Sequence, residues 1–164
     1  MRAYVAVGSN LGDRWAHLAA AARGLAGLPR TAVVGASRVF DTAPVGPPQP
    51  RYLNAVLALE TGLPPEALLG ELRAVEAGAL RRRDQRWGAR TLDLDLLLHG
   101  DAVLRTPRLV LPHPGLAVRR FVLAPLADLA PGVVVPGTGR DVAALLERAP
   151  GAADEVVPVG LYPR

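Results

Sequence analysis

The 164-residue chain contains no cysteine and no lysine. Without cysteine there are no disulfides, no thiol nucleophile and no thiolate-ligated zinc. Without lysine there is no Schiff-base chemistry and no G-x-x-x-x-G-K-[ST] phosphate loop. Serine is confined to Ser9 and Ser37, and neither sits in a nucleophile motif. His17, His99 and His113 are too far apart for an H-x-x-H or H-E-x-x-H metal site. No stretch approaches the ~20 apolar residues of a membrane-spanning helix. Ala3–Val7 is too short for a signal-peptide core and no small-x-small cleavage pattern follows it, so a cytoplasmic protein is expected.

What is present is arginine. All 19 basic residues are Arg, set against 15 acidic ones, for a net charge of +4. Such a balance suits an anionic partner, either nucleic acid or a phosphorylated small molecule. Half of the residues are hydrophobic, enough for one core, and a single domain over 1–164 is expected, with a loosely packed tail after about residue 150.

The apolar patterning predicts strands at Ala3–Val7, Val33–Phe40, Tyr52–Thr61 and Thr91–Leu98. Helices are predicted over Asp13–Leu28, with Trp15, Leu18, Ala22 and Leu25 inward, and from Pro64 to Leu80, with Leu68, Leu72, Val75 and Ala79 inward. Asp41–Arg51 holds four prolines and reads as a long, functional loop. Beyond Gly100 the chain is broken by proline; short helices near Phe121–Leu129 and Asp141–Arg148 and an edge strand at Val133–Val135 are expected. The order β-α-β-β-α-β over residues 3–98 suggests an α+β, ferredoxin-like core: an antiparallel sheet with helices on one face, followed by a C-terminal extension. Many functions share that fold.

Three constellations carry chemistry. Thr91-Leu92-Asp93-Leu94-Asp95-Leu96-Leu97-Leu98 alternates, so Asp93 and Asp95 share one face of a strand, with Cα atoms roughly 6.6 Å apart. Two carboxylates that close on a rigid strand repel unless a cation lies between them. Mg²⁺ prefers such oxygen ligands and shares them with substrate phosphates. Arg81–Arg90 packs five arginines immediately before that strand. Guanidinium groups bind phosphate oxygens bidentately, and beside an Asp-x-Asp pair they describe a phosphoryl-transfer site. Finally, Tyr52 and Asn54 share a strand face and Phe121 follows the His113-Pro114 turn. A planar heterocycle could stack on such rings while the amide reads its edge. The competing reading is a basic ferredoxin-like RNA-binding domain with Tyr52 and Phe121 as stacking platforms, or a phosphoryl or nucleotidyl transferase with another acceptor. Asp93 and Asp95 on the binding face oppose the RNA reading.

Four motifs in order resemble 6-hydroxymethyl-7,8-dihydropterin pyrophosphokinase of folate biosynthesis: Gly8-Ser9-Asn10-Leu11-Gly12-Asp13-Arg14, Tyr52-Leu53-Asn54-Ala55-Val56, Arg86-Trp87-Gly88-Ala89-Arg90-Thr91-Leu92-Asp93-Leu94-Asp95 and Pro112-His113-Pro114. The resemblance runs from Ala3 to about Pro131. It implies a transferase that moves pyrophosphate from ATP to the pterin hydroxymethyl group, releasing AMP. It implies Asp93 and Asp95 as ligands of two Mg²⁺ ions, with Arg82 and Arg90 on the phosphates and Trp87 on a loop that closes over them. Tyr52 and Phe121 would sandwich the pterin, Asn54 would bond its edge, and Thr42, Ala43 and Val45 would supply loop contacts, with Trp87 nearby. Arg73, Glu76, Leu96, Arg108, Val110, His113, Pro114 and Arg119 would join Arg82, Trp87 and Arg90 around the nucleotide. The implied partners are small molecules, with no specific nucleic acid and no membrane, and the expected state is a monomer. Ala43 and Ala89 stand where the family frequently has proline, and Val110 and Pro114 where some members have Thr and Tyr.

Overall fold

The computed structural model describes residues 1–44, 46–80, 92–152 and 155–164. The elements run β1 (Arg2–Ser9), α1 (Arg14–Ala26), β2 (Thr31–Ala36), β3 (Val39–Thr42), β4 (Tyr52–Thr61), α2 (Pro65–Leu80) and β5 (Asp93–His99). There follow a small hairpin of β6 (Leu104–Arg105) and β7 (Val110–Leu111), a 3-10 turn at Leu116–Val118, α3 (Arg120–Leu129), α4 (Val142–Arg148) and β8 (Val156–Gly160). The main sheet is antiparallel in the order β5-β1-β4-β3-β8, and β2 also pairs with β4. The expected α+β, ferredoxin-like core with flanking helices is therefore present.

Strand alternation divides the molecule. Val5, Val7, Ala55, Leu57 and Leu94 point to a core shared with Leu18 and Leu25 of α1 and Leu68 and Leu72 of α2. Tyr4, Val56, Ala58 and Leu97 point the other way, against Val122, Leu123 and Leu126 of α3 and Val142 and Leu145 of α4. Each such leucine withdrawn from water contributes about 1.5–3 kcal/mol, which is what seats a helix layer on each side. The expectation of helices on one face describes α1 and α2 only; α3 and α4 cover the reverse face.

Local departures from the sequence pattern have identifiable causes. The strand expected over Val33–Phe40 is two strands, because Ser37 interrupts it. The Ser37 N–H donates to Val56 O at 2.9 Å and the Ser37 hydroxyl accepts from Val56 N–H at 2.8 Å. Backbone and side chain of one residue thus take both ladder positions, and the chain turns there. Trp15 is 36% exposed instead of inward, and Leu18, Ala19, Ala21 and Leu25 are the buried residues of α1. The edge strand expected at Val133–Val135 reduces to a single bridge between Val134 and Asp141. After Pro150, where sequence signals are weak, β8 pairs with β3, and Tyr162 donates its hydroxyl to Leu18 O. Among the described residues, no helix is long and apolar enough to cross a membrane.

Candidate active site

Gly8, near the end of β1, stands opposite Asn54 of β4 on one side and Asp93 of β5 on the other. By alternation Tyr52, Asn54, Asp93 and Asp95 all belong to the α3 face of the sheet. At this end of the face a cavity of about 160 Å³ opens, lined by Thr42, Ala43, Gln49, Tyr52, Asp93, Asp95, Arg119 and Phe121. Phe121 comes from the first turn of α3, so one helix both closes the second core and supplies a wall of the site. Tyr52 stands on β4 and supplies another wall.

Asn54, on the same face of β4 as Tyr52, is tied to the wall of this cavity through Thr42. Its Nδ2 donates to the hydroxyl of buried Thr42 at 2.7 Å, leaving Oδ1 over Gly8. A side chain on Gly8 would stand 2.6 Å from that oxygen. Glycine here serves close approach, not an unusual backbone angle.

The Pro-rich loop is fastened from behind. Asn10, 1% exposed, donates from Nδ2 to Gln49 Oε1 at 3.0 Å and to Pro50 O at 3.1 Å. Asp13 caps α1, accepting from Ala16 N–H at 3.1 Å. The Gly8–Asp13 motif thus divides its work between floor, loop anchor and helix cap. On the other side of the loop the Ala43 N–H donates to Glu155 O at 3.1 Å, so the residue just before β8 holds the cavity rim. Gln49 and Asn10 were missed as site residues. An asparagine just after a strand is the available signal for Asn10; nothing in the sequence marks Gln49.

A second cavity, about 220 Å³, adjoins the first. Arg73, Leu96, Arg108, Val110, His113 and Pro114, which the resemblance assigns to the nucleotide, are brought together in its wall, joined by Leu69, Thr106, Pro107 and Leu109. Asp95 lines both cavities. The turn that carries Arg108 is pinned to α2 through the Thr106 hydroxyl, which donates to Glu66 Oε1 at 2.9 Å. Arg119, also assigned to the nucleotide by the resemblance, lines the first cavity with its guanidinium 5.9 Å from the centre of the Phe121 ring, and its charge acts on His113 in the wall of the second. Glu76 lines neither described cavity.

His113 is held in the second cavity wall by its own N–H donating to Leu97 O at 3.0 Å. Its Nδ1 accepts from Gly115 N–H at 3.2 Å, an assignment that leaves the proton on Nε2. Burial, then the charges of Arg119 and Arg73, hold the imidazole below its ordinary 6.5, against the opposing pull of Asp93. A histidine depressed in the fold binds its proton more tightly when unfolded. Its contribution to stability is therefore present above 6.5 and is lost as pH falls through the depressed value. In an NMR titration of the free protein, the His113 ring is expected to titrate below 6.5; titration at or above it would show a ring stripped of this environment.

The donor chemistry suits a hard divalent cation. Asp93 and Asp95 are both partly exposed at the first cavity; they stand as a pair, and among the described residues no group of three or more His, Cys, Asp or Glu is placed to hold a metal ion. Mg²⁺ needs only one or two carboxylates when substrate phosphates and water complete its shell. Val45, Arg82, Trp87 and Arg90 lie outside the described residues.

Comparison with known proteins decides the family. The family model described as 7,8-dihydro-6-hydroxymethylpterin-pyrophosphokinase (HPPK) matches residues 4–131. The chain belongs to the HPPK family. It is 46% identical over 158 residues to a 2-amino-4-hydroxy-6-hydroxymethyldihydropteridine pyrophosphokinase of Pseudomonas aeruginosa, covering 96% of this chain and 97% of the relative. A Haemophilus influenzae protein of the same name is 42% identical over 137 residues, covering 83% and 86% of the two chains. Among solved structures, wild-type Plasmodium falciparum HPPK-DHPS with pteroate superposes with a TM-score of 0.72 at 13% identity. That match covers 90% of this chain and 42% of the other, so the HPPK chain described here spans under half of the larger protein and the likeness speaks for the fold.

Proposed function

We propose that Asp93 and Asp95 hold Mg²⁺ against the triphosphate of ATP while the pterin lies between Tyr52 and Phe121. The protein is a pyrophosphokinase: it transfers pyrophosphate from ATP to 6-hydroxymethyl-7,8-dihydropterin in folate biosynthesis. The observation that carries the site assignment is the position of Asp95 in the walls of both cavities. One carboxylate so placed reaches the acceptor hydroxyl on one side and the nucleotide on the other.

The chain's residues act mainly by placement. Tyr52 and Phe121 present ring faces to the flat heterocycle, and Asn54, already oriented by Thr42, presents its amide to the polar edge. Asn10 and Glu155 hold the loop and its Ala43 rim in register with that ring. Arg73, Arg108 and His113 offer donors to the nucleotide from the second cavity, and Arg119 offers charge where the two cavities meet. Arg82 and Arg90 are assigned to the phosphates on the strength of their motif. When bound, Mg²⁺ supplies charge neutralisation and lowers the pKa of the attacking hydroxyl. Holding that hydroxyl in line with the β-phosphorus turns a bimolecular encounter into a unimolecular step, an effect able to supply about 7–11 kcal/mol of the barrier. A bond forms from the hydroxymethyl oxygen to the β-phosphorus as the bond to AMP breaks.

Mixing the protein with ATP, Mg²⁺ and hydroxymethyldihydropterin is expected to release AMP in step with pterin diphosphate. ADP as the nucleotide product would place attack at the γ-phosphorus and overturn this assignment. No product without Mg²⁺ is also expected.

A further inference from the structure

The two aspartates stand on a strand with an open edge. Among the described residues β5 pairs with no strand but β1 and ends the sheet. Between the aspartates lies Leu94, whose side chain is fully buried in the α1–α2 core. Its peptide groups on the open edge are nevertheless satisfied. Glu76 Oε2 accepts from the Leu94 N–H at 2.7 Å, and Arg73 Nη1 donates to the Leu94 carbonyl at 2.9 Å. Arg73 Nη1 also donates to Glu76 Oε1 at 2.6 Å. One acceptor and one donor, three residues apart on one face of α2, thus give Leu94 what a neighbouring strand would have given. Both Glu76 oxygens are engaged, the residue is 8% exposed, and it does not line the nucleotide cavity that Arg73 does. Burial pushes the Glu76 carboxyl above its ordinary value, against the Leu94 N–H and Arg73, which favour the ionised form.

We infer that Glu76, braced by Arg73, is a positioning residue that sets the spacing and aim of Asp93 and Asp95, and not a nucleotide ligand. The physical need is plain: like charges on neighbouring pleats push apart, and a strand with one neighbouring strand yields to that push where its other edge is not held. Pinning the intervening peptide converts a flexible edge into a fixed pair of ligands. Partners that orient metal ligands in this way are typically worth about 10–100-fold in metal affinity.

The inference rests on the reading of Asp93 and Asp95 as metal-holding residues, and the experiment separates the two. Glu76→Asp keeps the charge beside Arg73 but is one methylene too short for the Leu94 N–H. Glu76→Gln keeps the reach and an acceptor oxygen. Three quantities are read in each: the exchange rate of the Leu94 amide, the Mg²⁺ concentration that half-saturates the complex with a non-hydrolysable ATP analogue, and the affinity of that analogue without metal. Glu76→Asp is expected to speed Leu94 exchange and raise the Mg²⁺ requirement, each about tenfold or more, while metal-free nucleotide affinity stays within about twofold. Glu76→Gln should bring the first two back to within about threefold of the unaltered protein. An unchanged Mg²⁺ requirement in Glu76→Asp, or a tenfold-scale loss of metal-free nucleotide affinity, overturns the inference. Asp95→Asn is the control. If it leaves the Mg²⁺ requirement unaltered, the metal assignment itself fails; if it abolishes Mg²⁺ uptake while Glu76→Asp does not disturb it, only the role of Glu76 fails.

Discussion

Asp95→Ala is expected to lower turnover by at least about three orders of magnitude while the protein stays folded. Each ~1.4 kcal/mol of lost transition-state stabilisation is tenfold in rate, and metal-assisted charge stabilisation at phosphoryl groups is worth several kcal/mol. The fold should survive because Asp95 is partly exposed and faces cavities, whereas the leucines on either side of it, Leu94 and Leu96, belong to the buried core. Its backbone pairing with Ala6 is independent of the side chain. Asp93 faces only the first cavity among those described, so Asp93→Ala should impair the acceptor side more than nucleotide binding. Steady-state rates with a thermal melt of each variant check the expectation. Near-normal turnover in Asp95→Ala would remove the metal assignment.

Gly8→Ala is expected to weaken pterin binding about a hundredfold, with binding of an ATP analogue left within about twofold. The added methyl would stand 2.6 Å from Asn54 Oδ1, well inside contact distance, so the amide must move. Asn54 is not free to swing, because its Nδ2 is bound to a Thr42 hydroxyl that is itself buried. Displacing the amide costs the Thr42 bond or the bonds offered to the heterocycle. Hydrogen bonds of this kind are worth about 0.5–1.5 kcal/mol each, and an unpaired buried partner costs about 1–3 kcal/mol more, so a loss near 2.8 kcal/mol is the expected scale. Neither cavity is lined by Gly8 or Asn54, but Thr42, the partner of Asn54, lines the first and not the second, so binding in the second should be unaffected. Calorimetric titration with each ligand separates the two effects. Pterin affinity unchanged in Gly8→Ala would show that Asn54 does not read the ring.

Much of the site was legible in the linear chain because its chemistry is local. Asp93 and Asp95 share a face through simple two-residue alternation, and Tyr52 and Asn54 share one for the same reason. The helices α1 and α2, the strand Tyr52–Thr61 and the antiparallel core follow from hydrophobic period and from the proline at the start of α2. The motif order was also enough to recognise the family. Less legible were elements whose stability comes from distant partners. Val156–Gly160 carries a proline and only partial burial, and becomes β8 because β3 offers it a free edge. Ser37 splits a strand because Val56 is there to receive it.

What the sequence by itself determined is the set of reactive groups: the absence of thiols and lysine amines, the paired carboxylates, the arginine supply and the few rings and amides able to hold a flat ligand. What only the tertiary structure decided is how those groups are divided and held. It set Arg119 in the wall of the first cavity, gave Asn10 to the loop and Asp13 to the helix cap, and engaged Glu76 on the Leu94 peptide. The physical reason is that hydrogen bonds and close packing depend on distances of a few tenths of an ångström between residues far apart in the chain. Periodicity reports which face a side chain takes, but not which partner meets it there.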